Sequence, residues 1–303
     1  MYNSTTIVYV PTEPLESFQS GFYTGLSRQI GGNTMDLNSI KSHWKEWATT
    51  NGDNLYATTR TKTIKKLEID VLRRWIEKKG PTNNQILEIG CGNGTNCIAL
   101  SQIFPDNIFY GLDYVDEMIA HAKKRAGDIP NLQFGVDDAT ELRSPIIQGK
   151  AFDIIFTNRC LINLNTIELQ KKAIKKVFEQ LNPNGYYLML ENSVDSYANQ
   201  NACREAAELP KRTPADFNLF LDDKIILPYL QNELNATIEA IDNFASLHDL
   251  FLYVISPLQN DGKVIYENEY LEGITDFLLK IGDFGYNKFG EFGQNRLYVI
   301  KKG

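Results

Sequence analysis

The chain has 303 residues, an apolar content of 43% and a formal net charge of −7, with an isoelectric point near 5.2. An acidic chain gains little electrostatically from binding a phosphate backbone, so DNA and RNA are disfavoured as partners. Because no basic segment precedes a long apolar run and no stretch is long enough to span a bilayer, we expect a cytoplasmic protein without a membrane partner.

Three zones follow one another along the sequence. Residues 1–42 are mixed in composition and are predicted to form an N-terminal arm or lid, and residues 43–303 are predicted to form the main domain. Within that domain, residues 43–190 alternate helical and strand patterns. Residues 191–303 contain two strand candidates separated by long, irregular, aromatic-rich stretches.

The helical and strand patterns of the middle zone define its predicted elements. A first helix has apolar residues on one face and ends at Gly80 and Pro81; these are Ile64, Leu67, Val71, Leu72, Trp75 and Ile76. Strands are then predicted at 85–89, 107–113, 132–136, 152–158 and 186–191, with helices at 97–103, 116–126 and 166–181. Strands that alternate with helices predict a parallel sheet covered on both faces.

The first predicted strand runs into a glycine-rich loop, ILEIGCGNGT. It has no lysine after its last glycine, as a nucleoside triphosphate loop needs, and Thr95 stands where a dinucleotide fingerprint has its third glycine. The pattern is instead Glu88, Gly90, Gly92 and Gly94, at alternate positions. Glycines spaced in this way let the backbone approach a ligand closely, and the following helix can receive a carboxylate. Glu88 can receive an ammonium group.

A ligand that carries both a carboxylate and an ammonium group on one carbon is an amino acid. Asp113 ends the second predicted strand, where an acid can hold both hydroxyls of a ribose. Tyr114 follows it and can lie flat against a base, and Asp138 can accept a hydrogen bond from the amine of adenine. These groups together predict S-adenosylmethionine as the ligand.

Five segments in this order resemble the motifs of class I S-adenosylmethionine-dependent methyltransferases: LEIGCGNG, YGLDYVDEMI, VDDAT, FDIIFTNRCLINL and LNPNGYYLML. The resemblance implies an enzyme with a Rossmann-like α/β fold. Such a fold has a doubly wound, mostly parallel seven-stranded sheet with an antiparallel last strand, and we expect insertions that form a lid. Many relatives have Ser or Thr as the cap of the helix after the ribose acid, where this chain has Val115, so Asp116 is expected to cap it.

The resemblance also implies which residues contact the cofactor. It assigns Glu88, Gly90, Gly92 and Gly94 to the methionine part, Asp113 to the ribose, and Asp138 with Ala139 to the adenine. The predicted cofactor contacts are completed by Arg60, Cys91, Tyr114 and Asn158. Cys91 is interpreted as a small residue that fits between two glycines rather than as a catalytic thiol.

A longer segment, NRCLINL to NPNGYYLMLE, is similar to methyltransferases associated with bacterial surface-polysaccharide loci. That similarity implies a small-molecule acceptor, and the predicted reaction is O-methylation of a sugar, a nucleotide sugar or a phosphorylated metabolite. Two alternatives stay open: N-methylation of a small amine, and a non-catalytic protein that binds the cofactor and regulates a partner. The oligomeric state is left open.

The last two strands are predicted at 236–241 and 296–300. If they are antiparallel, the stretches 192–235 and 242–295 both leave the sheet at its ligand-binding edge. Long non-repetitive insertions beside a site usually form lids or walls that select the acceptor.

The catalytic and acceptor-binding candidates lie in or next to these insertions. His248 is predicted as the general base because its intrinsic pKa lies near neutral, with a packing role as the alternative. Glu191 is the second catalytic candidate, and it or Asp249 would replace His248 as the base. Arg159 and Arg204 are predicted to bind a negatively charged acceptor. No cluster of acids and histidines indicates a metal site, and the cysteines match no zinc pattern.

Overall fold

A computed structural model describes residues 35–54, 57–59, 61–285 and 287–303. Its strands are β1 (Gln85–Ile89), β2 (Ile108–Asp113), β3 (Leu132–Val136), β4 (Phe152–Asn158), β5 (Leu181–Asn192), β6 (Thr237–Asp242) and β7 (Asn295–Lys301). Its longer helices before β5 are α1 (Leu37–Asn51), α2 (Lys62–Lys79), α3 (Thr95–Ile103), α4 (Asp116–Ala126) and α5 (Ile167–Gln180). Those after β5 are α6 (Val194–Ala206), α7 (Asp223–Pro228), α8 (Ser246–Leu250) and α9 (Glu269–Ile281).

The strands form one seven-stranded sheet in the order β3-β2-β1-β4-β5-β7-β6. Strands β1 to β5 pair in parallel, and β7 is antiparallel to both β5 and β6. The order reverses at β1, whose neighbours are β2 on one side and β4 on the other. Ligands of doubly wound sheets bind beyond the carboxyl ends of the strands at such a reversal. The predicted fold is confirmed.

Alternation along the central strands divides the core into two layers. Ile86 and Ile154 pack on the face covered by α2, α3 and α4, whereas Leu87 and Ile155 pack on the face covered by α5. Neighbouring residues of a strand point to opposite faces of the sheet. A strand that is apolar at nearly every position therefore indicates a sheet that is buried on both faces. The two layers hold the strand ends, and therefore the loops that follow them, in fixed positions.

Several details differ from the predictions. Helix α1 runs across the predicted boundary at residue 42, and residues 1–34 of the predicted arm lie outside the described residues. Val115 occupies the N-cap of α4 without a side-chain hydrogen bond, while Asp116 lies in the first helical turn, where an acid favours the helix dipole. The insertions predicted to be irregular contain helices α6 to α9. Apolar residues of α9 recur at helical spacing, at Leu271, Ile274, Leu278 and Ile281, and this signal was missed in the sequence.

None of the described helices combines the length and the apolar content that are needed to cross a bilayer.

Candidate active site

A cavity of about 760 Å³ lies at the carboxyl ends of β1, β2, β4 and β5. That volume falls within the range of about 300–1,000 Å³ that is usual for small-ligand pockets. Its lining comes from the glycine loop, from the segments after β2, β3 and β4, from α1, and from both insertions. One continuous space therefore connects the predicted cofactor loop with the predicted acceptor side.

Gly90 and Gly92 both line the cavity and both have positive φ, +74° and +53°. Residues with a Cβ avoid this conformation, so the turn after β1 favours glycine at both positions. A Cβ on Gly92 would lie 2.6 Å from Cγ2 of Thr58, which also lines the cavity. The loop backbone and the segment 57–59 thus approach each other at this wall more closely than a side chain permits.

Asp113 ends β2, and its carboxylate holds the glycine loop through a hydrogen bond. One oxygen accepts from the backbone N–H of Gly92 at 2.8 Å, and the other accepts from the N–H of Val115 at 2.9 Å. The side chain is only 8% exposed, and it lines the cavity. Burial raises the pKa of Asp113 to about 6, against the opposing effect of the backbone N–H groups. Two N–H bonds leave lone pairs on both oxygens for a ligand.

The residues that were predicted to contact the adenine also lie on the cavity wall. Tyr114, Asp138 and Ala139 line the cavity there. One carboxylate oxygen of Asp138 accepts from the backbone N–H and the hydroxyl of Thr140, at 2.7 and 2.8 Å, which fixes the side-chain orientation. Trp44 of α1 and Tyr114 pack against the same small buried cluster, and Trp44 donates its indole N–H to Asn163, so α1 lies over this part of the cavity.

Two buried acceptors of the cavity wall have no partner among the described residues. They are the hydroxyl oxygen of Thr58 and the amide oxygen of Asn158. Buried polar atoms are rarely left unpaired, so each such atom needs an explanation. An ammonium group in the cavity beside the glycine loop would supply the missing donors.

Three predicted cofactor contacts do not line the cavity, and the structure corrects them. Both oxygens of Glu88 are engaged inside the protein, by the amide of Asn96 at 2.7 Å and the thiol of Cys97 at 2.9 Å. Cys91 is buried in the core with a pKa that burial raises. Gly94 packs against the core, since a Cβ there would lie 2.6 Å from the ring of Phe134. Arg60 lies outside the described residues.

A buried ion cluster supports the cavity, and sequence reasoning did not identify its centre, Glu68. This fully buried carboxylate pairs with Lys65 at 2.6 Å and with Nε of Arg159 at 3.0 Å. It also accepts from the amides of Asn158 at 3.0 Å and Asn295 at 2.7 Å. Burial raises the pKa of Glu68, but the neighbouring cations outweigh that effect and keep it below its usual range.

The predicted acceptor residue Arg159 does line the cavity, but its charge is already matched. Its guanidinium pairs with Glu68 and also donates to the backbone carbonyl of Thr58 at 2.7 Å. The residue has a positive φ of +54°, an unusual conformation for a side-chain-bearing residue. Arg159 therefore joins β4 to the segment 57–59 that faces the glycine loop.

At the acceptor side, Asp249 lines the cavity and the predicted base His248 does not. His248 is fully buried, and its ring lies between Asp249, 2.8 Å from Nδ1, and the hydroxyl of Thr63, 2.9 Å from Nε2. The Thr63 hydroxyl is in turn 2.5 Å from that of Thr61, which lines the cavity. With both ring nitrogens engaged, His248 supports Asp249 instead of contacting an acceptor directly.

Glu191 and Arg204 are also placed differently from the predictions. One oxygen of the fully buried Glu191 accepts from the backbone N–H groups of Cys160 and Leu161, both at 3.1 Å. Glu191 therefore fixes the turn after β4. Arg204 is 2% exposed and donates to the backbone carbonyls of Pro210 and Tyr253, so it holds the two insertions together. Neither residue lines the cavity.

The buried carboxylate of Glu191 makes a testable prediction about stability. Burial raises the pKa of Glu191 to about 7, although backbone N–H groups oppose the change. Because the unfolded chain binds fewer protons at this group between pH 4.5 and 7, the free energy of unfolding falls as pH rises through that window. With about 1.4 kcal/mol for each pH unit, the loss reaches about 3 kcal/mol at pH 8.

Glu191→Gln keeps an oxygen that can accept from the same N–H groups but does not ionise. Urea unfolding of both proteins at pH 5 and pH 8 should show the variant gaining about 3 kcal/mol on the wild type at the higher pH. Equal pH dependence of the two proteins would show that Glu191 titrates normally.

The central part of the chain is similar to known proteins. A family model described as "Methyltransferase domain" matches residues 82–243, which is more than half of the chain. Malonyl-(acyl-carrier protein) O-methyltransferase of Bacillus cereus is 25% identical over 146 residues, covering 47% of this chain and 51% of that protein. Trans-aconitate 2-methyltransferase of Deinococcus radiodurans is 31% identical over 101 residues, covering 33% and 35%. The chain thus spans about half the length of the first relative and about a third of the second.

Two solved structures share the fold along nearly their whole length. The N-methyltransferase NodS from Bradyrhizobium japonicum, in complex with S-adenosyl-L-homocysteine, has a TM-score of 0.53 at 13% identity and covers 87% of this chain and 98% of its own. Magnesium protoporphyrin IX methyltransferase from Synechocystis, with the same bound ligand, has a TM-score of 0.54 at 12% identity and covers 88% and 100%.

Proposed function

The chain belongs to the family of methyltransferase domains, as its motifs predicted, and we propose that it transfers the methyl group of S-adenosylmethionine to a small polar acceptor. One observation carries this proposal: a single cavity extends from Gly90, Gly92 and Asp113 to Asp249 at the acceptor side. A space that holds both reactants side by side makes the reaction effectively unimolecular, which can lower a barrier by about 7–11 kcal/mol.

The residues of the cavity fit this cofactor. Two unpaired acceptors, on Thr58 and Asn158, suit its ammonium group, and Asp113 suits the hydroxyls of its ribose. Tyr114 and Asp138 suit the adenine ring and its amine. When bound, the cofactor supplies an electrophilic methyl group on a sulfonium sulfur.

For a hydroxyl acceptor, the chain contributes a base. Asp249 lines the cavity, one of its carboxylate oxygens lies 2.8 Å from Nδ1 of His248, and the other accepts from the backbone N–H of Gln294 at 2.8 Å. These two contacts orient the carboxylate while leaving lone pairs for the proton of the acceptor. We therefore propose O-methylation of a sugar, a nucleotide sugar or a phosphorylated metabolite. The name of one relative, the malonyl-(acyl-carrier protein) O-methyltransferase of Bacillus cereus, agrees with an oxygen acceptor.

A small amine is the second candidate, because the carboxylate of Asp249 would equally attract an ammonium group and take its proton. The mass-spectrometric position of the new methyl group, on oxygen or on nitrogen, separates the two. A protein that binds the cofactor without catalysis would show binding but no transferred methyl group.

The cofactor site is tested by Asp113→Ala. We expect the variant to lose about 2–4 kcal/mol of S-adenosylmethionine binding, because hydrogen bonds to a charged group are each worth about 1.5–3 kcal/mol. The affinity of the wild type should also fall as the pH drops below about 6, where Asp113 becomes protonated. Titration calorimetry on proteins shown to be folded measures both effects.

The matched control is Asp116→Asn, which removes an exposed acid three residues away that does not line the cavity. Unchanged affinity in Asp113→Ala, with the control also unchanged, would remove Asp113 from the site.

A further inference from the structure

Arg212, in the first insertion, lines the cavity at its acceptor side. Its guanidinium carbon lies 3.5 Å from the centre of the Tyr253 ring and 5.1 Å from that of Tyr197. The guanidinium donates to the side-chain oxygens of Gln200 at 2.6 Å and Gln294 at 3.2 Å. Stacking and two hydrogen bonds hold the planar group in one orientation, while its remaining N–H donors are unassigned.

All of these partners are neutral. Among the residues that the structure describes, no carboxylate pairs with Arg212, whereas Arg74, Arg159 and Arg296 each pair with at least one. A fixed guanidinium without a counter-ion, on the wall of a partly enclosed cavity, favours a bound anion.

Two further groups adjoin this cation. The backbone N–H of Gln294 donates to Asp249, while the side-chain oxygen of the same residue accepts from Arg212. One residue therefore holds both the cation and the carboxylate. The hydroxyl of Tyr197 also belongs to the cavity wall; it is buried and has no partner among the described residues. The Tyr197 hydroxyl is therefore a second donor on the same cavity wall.

We propose that the acceptor carries an anionic group, a carboxylate or a phosphate, which binds to Arg212, while Asp249 faces the atom that is methylated. This inference rests on the proposed function and specifies its substrate class. Arg212 takes the place that the sequence had assigned to Arg204. The anionic group contributes to binding and is not itself methylated, so the product keeps its negative charge.

Binding of simple anions tests the inference without turnover. Inorganic phosphate and malonate are titrated into the protein, with and without saturating S-adenosylhomocysteine. The anion that binds with the higher affinity indicates whether the acceptor carries a phosphate or a carboxylate. We expect Arg212→Gln to weaken binding at least about tenfold, equivalent to about 1.4 kcal/mol. Lys211→Gln removes the same charge from the adjacent exposed residue, which pairs with Glu205 outside the cavity, and should change binding less than about twofold.

The inference is overturned if neither anion binds the wild type, or if both bind Arg212→Gln as tightly. Failure of S-adenosylhomocysteine to bind would instead contradict the proposed function, while the titrations without it still test Arg212.

Turnover gives an independent readout. Methylated products from a metabolite extract should be retained on an anion exchanger, and neutral products would contradict the inference. With an identified acceptor, Arg212→Gln should raise KM at least about tenfold and change kcat less than about threefold, the pattern of lost uniform binding. Arg212→Lys should restore part of the affinity, because it keeps the charge but not the planar fork. An unchanged KM in Arg212→Gln would exclude the contact.

Discussion

Replacing Glu68 with glutamine is expected to lower the free energy of unfolding by about 3–5 kcal/mol, because it leaves the buried Lys65 and the half-buried Arg159 without their counter-charge. Lys65 and Arg159 both pair with this carboxylate, and the amides of Asn158 and Asn295 donate to it. Chemical denaturation at neutral pH measures the loss. Since Arg159 and Asn158 line the cavity, ligand affinity should fall as well in the folded fraction.

The same helix provides a matched control. Lys66 pairs with Glu272 at 2.8 Å, but both side chains are about half exposed. Glu272→Gln should therefore cost less than about 1 kcal/mol, as is usual for a surface pair. A loss of similar size in both variants would mean that burial adds nothing to the effect of Glu68, and the cluster would then have no special structural role.

Asp249→Asn is expected to slow methyl transfer to a hydroxyl acceptor at least about a hundredfold, because general bases contribute about 10²–10⁴-fold. The asparagine keeps an oxygen that can accept from Gln294 but cannot take up a proton at neutral pH. Affinity for S-adenosylmethionine should stay within about twofold, since Asp249 lies on the acceptor side of the cavity. Single-turnover rates and calorimetry measure the two quantities separately.

Asp216→Asn is the control for the change in charge. Asp216 is exposed and lies in the first insertion between two residues of the cavity wall, yet does not line the cavity itself. Its variant should transfer methyl groups at the wild-type rate. His248→Gln should slow transfer less than Asp249→Asn, because His248 only positions the carboxylate. Full activity in Asp249→Asn would exclude Asp249 as the base.

The sheet and its strand order could be predicted from local patterns. Short apolar runs such as β1 and β4, separated by helical periods, indicate a parallel sheet buried on both faces. The loops after these strands then fall at one edge by topology alone. For this reason Gly90, Gly92, Asp113 and Asp138, which were predicted to contact the cofactor, all line the cavity.

Neighbouring positions in the same motifs were less predictable, because side-chain direction depends on packing. Gly94 lies two residues after Gly92, but the backbone has by then turned into α3, and its Cα faces Phe134 of the core. Glu88 lies within β1, before the loop, and its side chain is held by Asn96 and Cys97 of α3. The sequence did contain one signal of the buried ion pair. Lys65 and Glu68 are opposite charges three residues apart, next to the apolar face of a helix.

The acceptor side depends on long-range contacts and was predicted least well. His248 and Asp249 are adjacent in sequence, and only the packing of α8 against α2 shows which of them faces the cavity. Arg204 and Arg212 lie on either side of a turn in one insertion, and the structure alone distinguishes the arginine that holds backbone carbonyls from the one that lines the cavity.

Transfer of a labelled methyl group from S-adenosylmethionine to small molecules of a metabolite extract tests the central proposal most directly. The wild type should label at least one acceptor, and Gly92→Val should label none, because a branched side chain at a positive φ would fill the space between the loop and Thr58. Labelling that is equal with the two folded proteins, or binding of the cofactor by the wild type without any transfer, would contradict the proposal that this cavity is the site of a methyltransferase reaction.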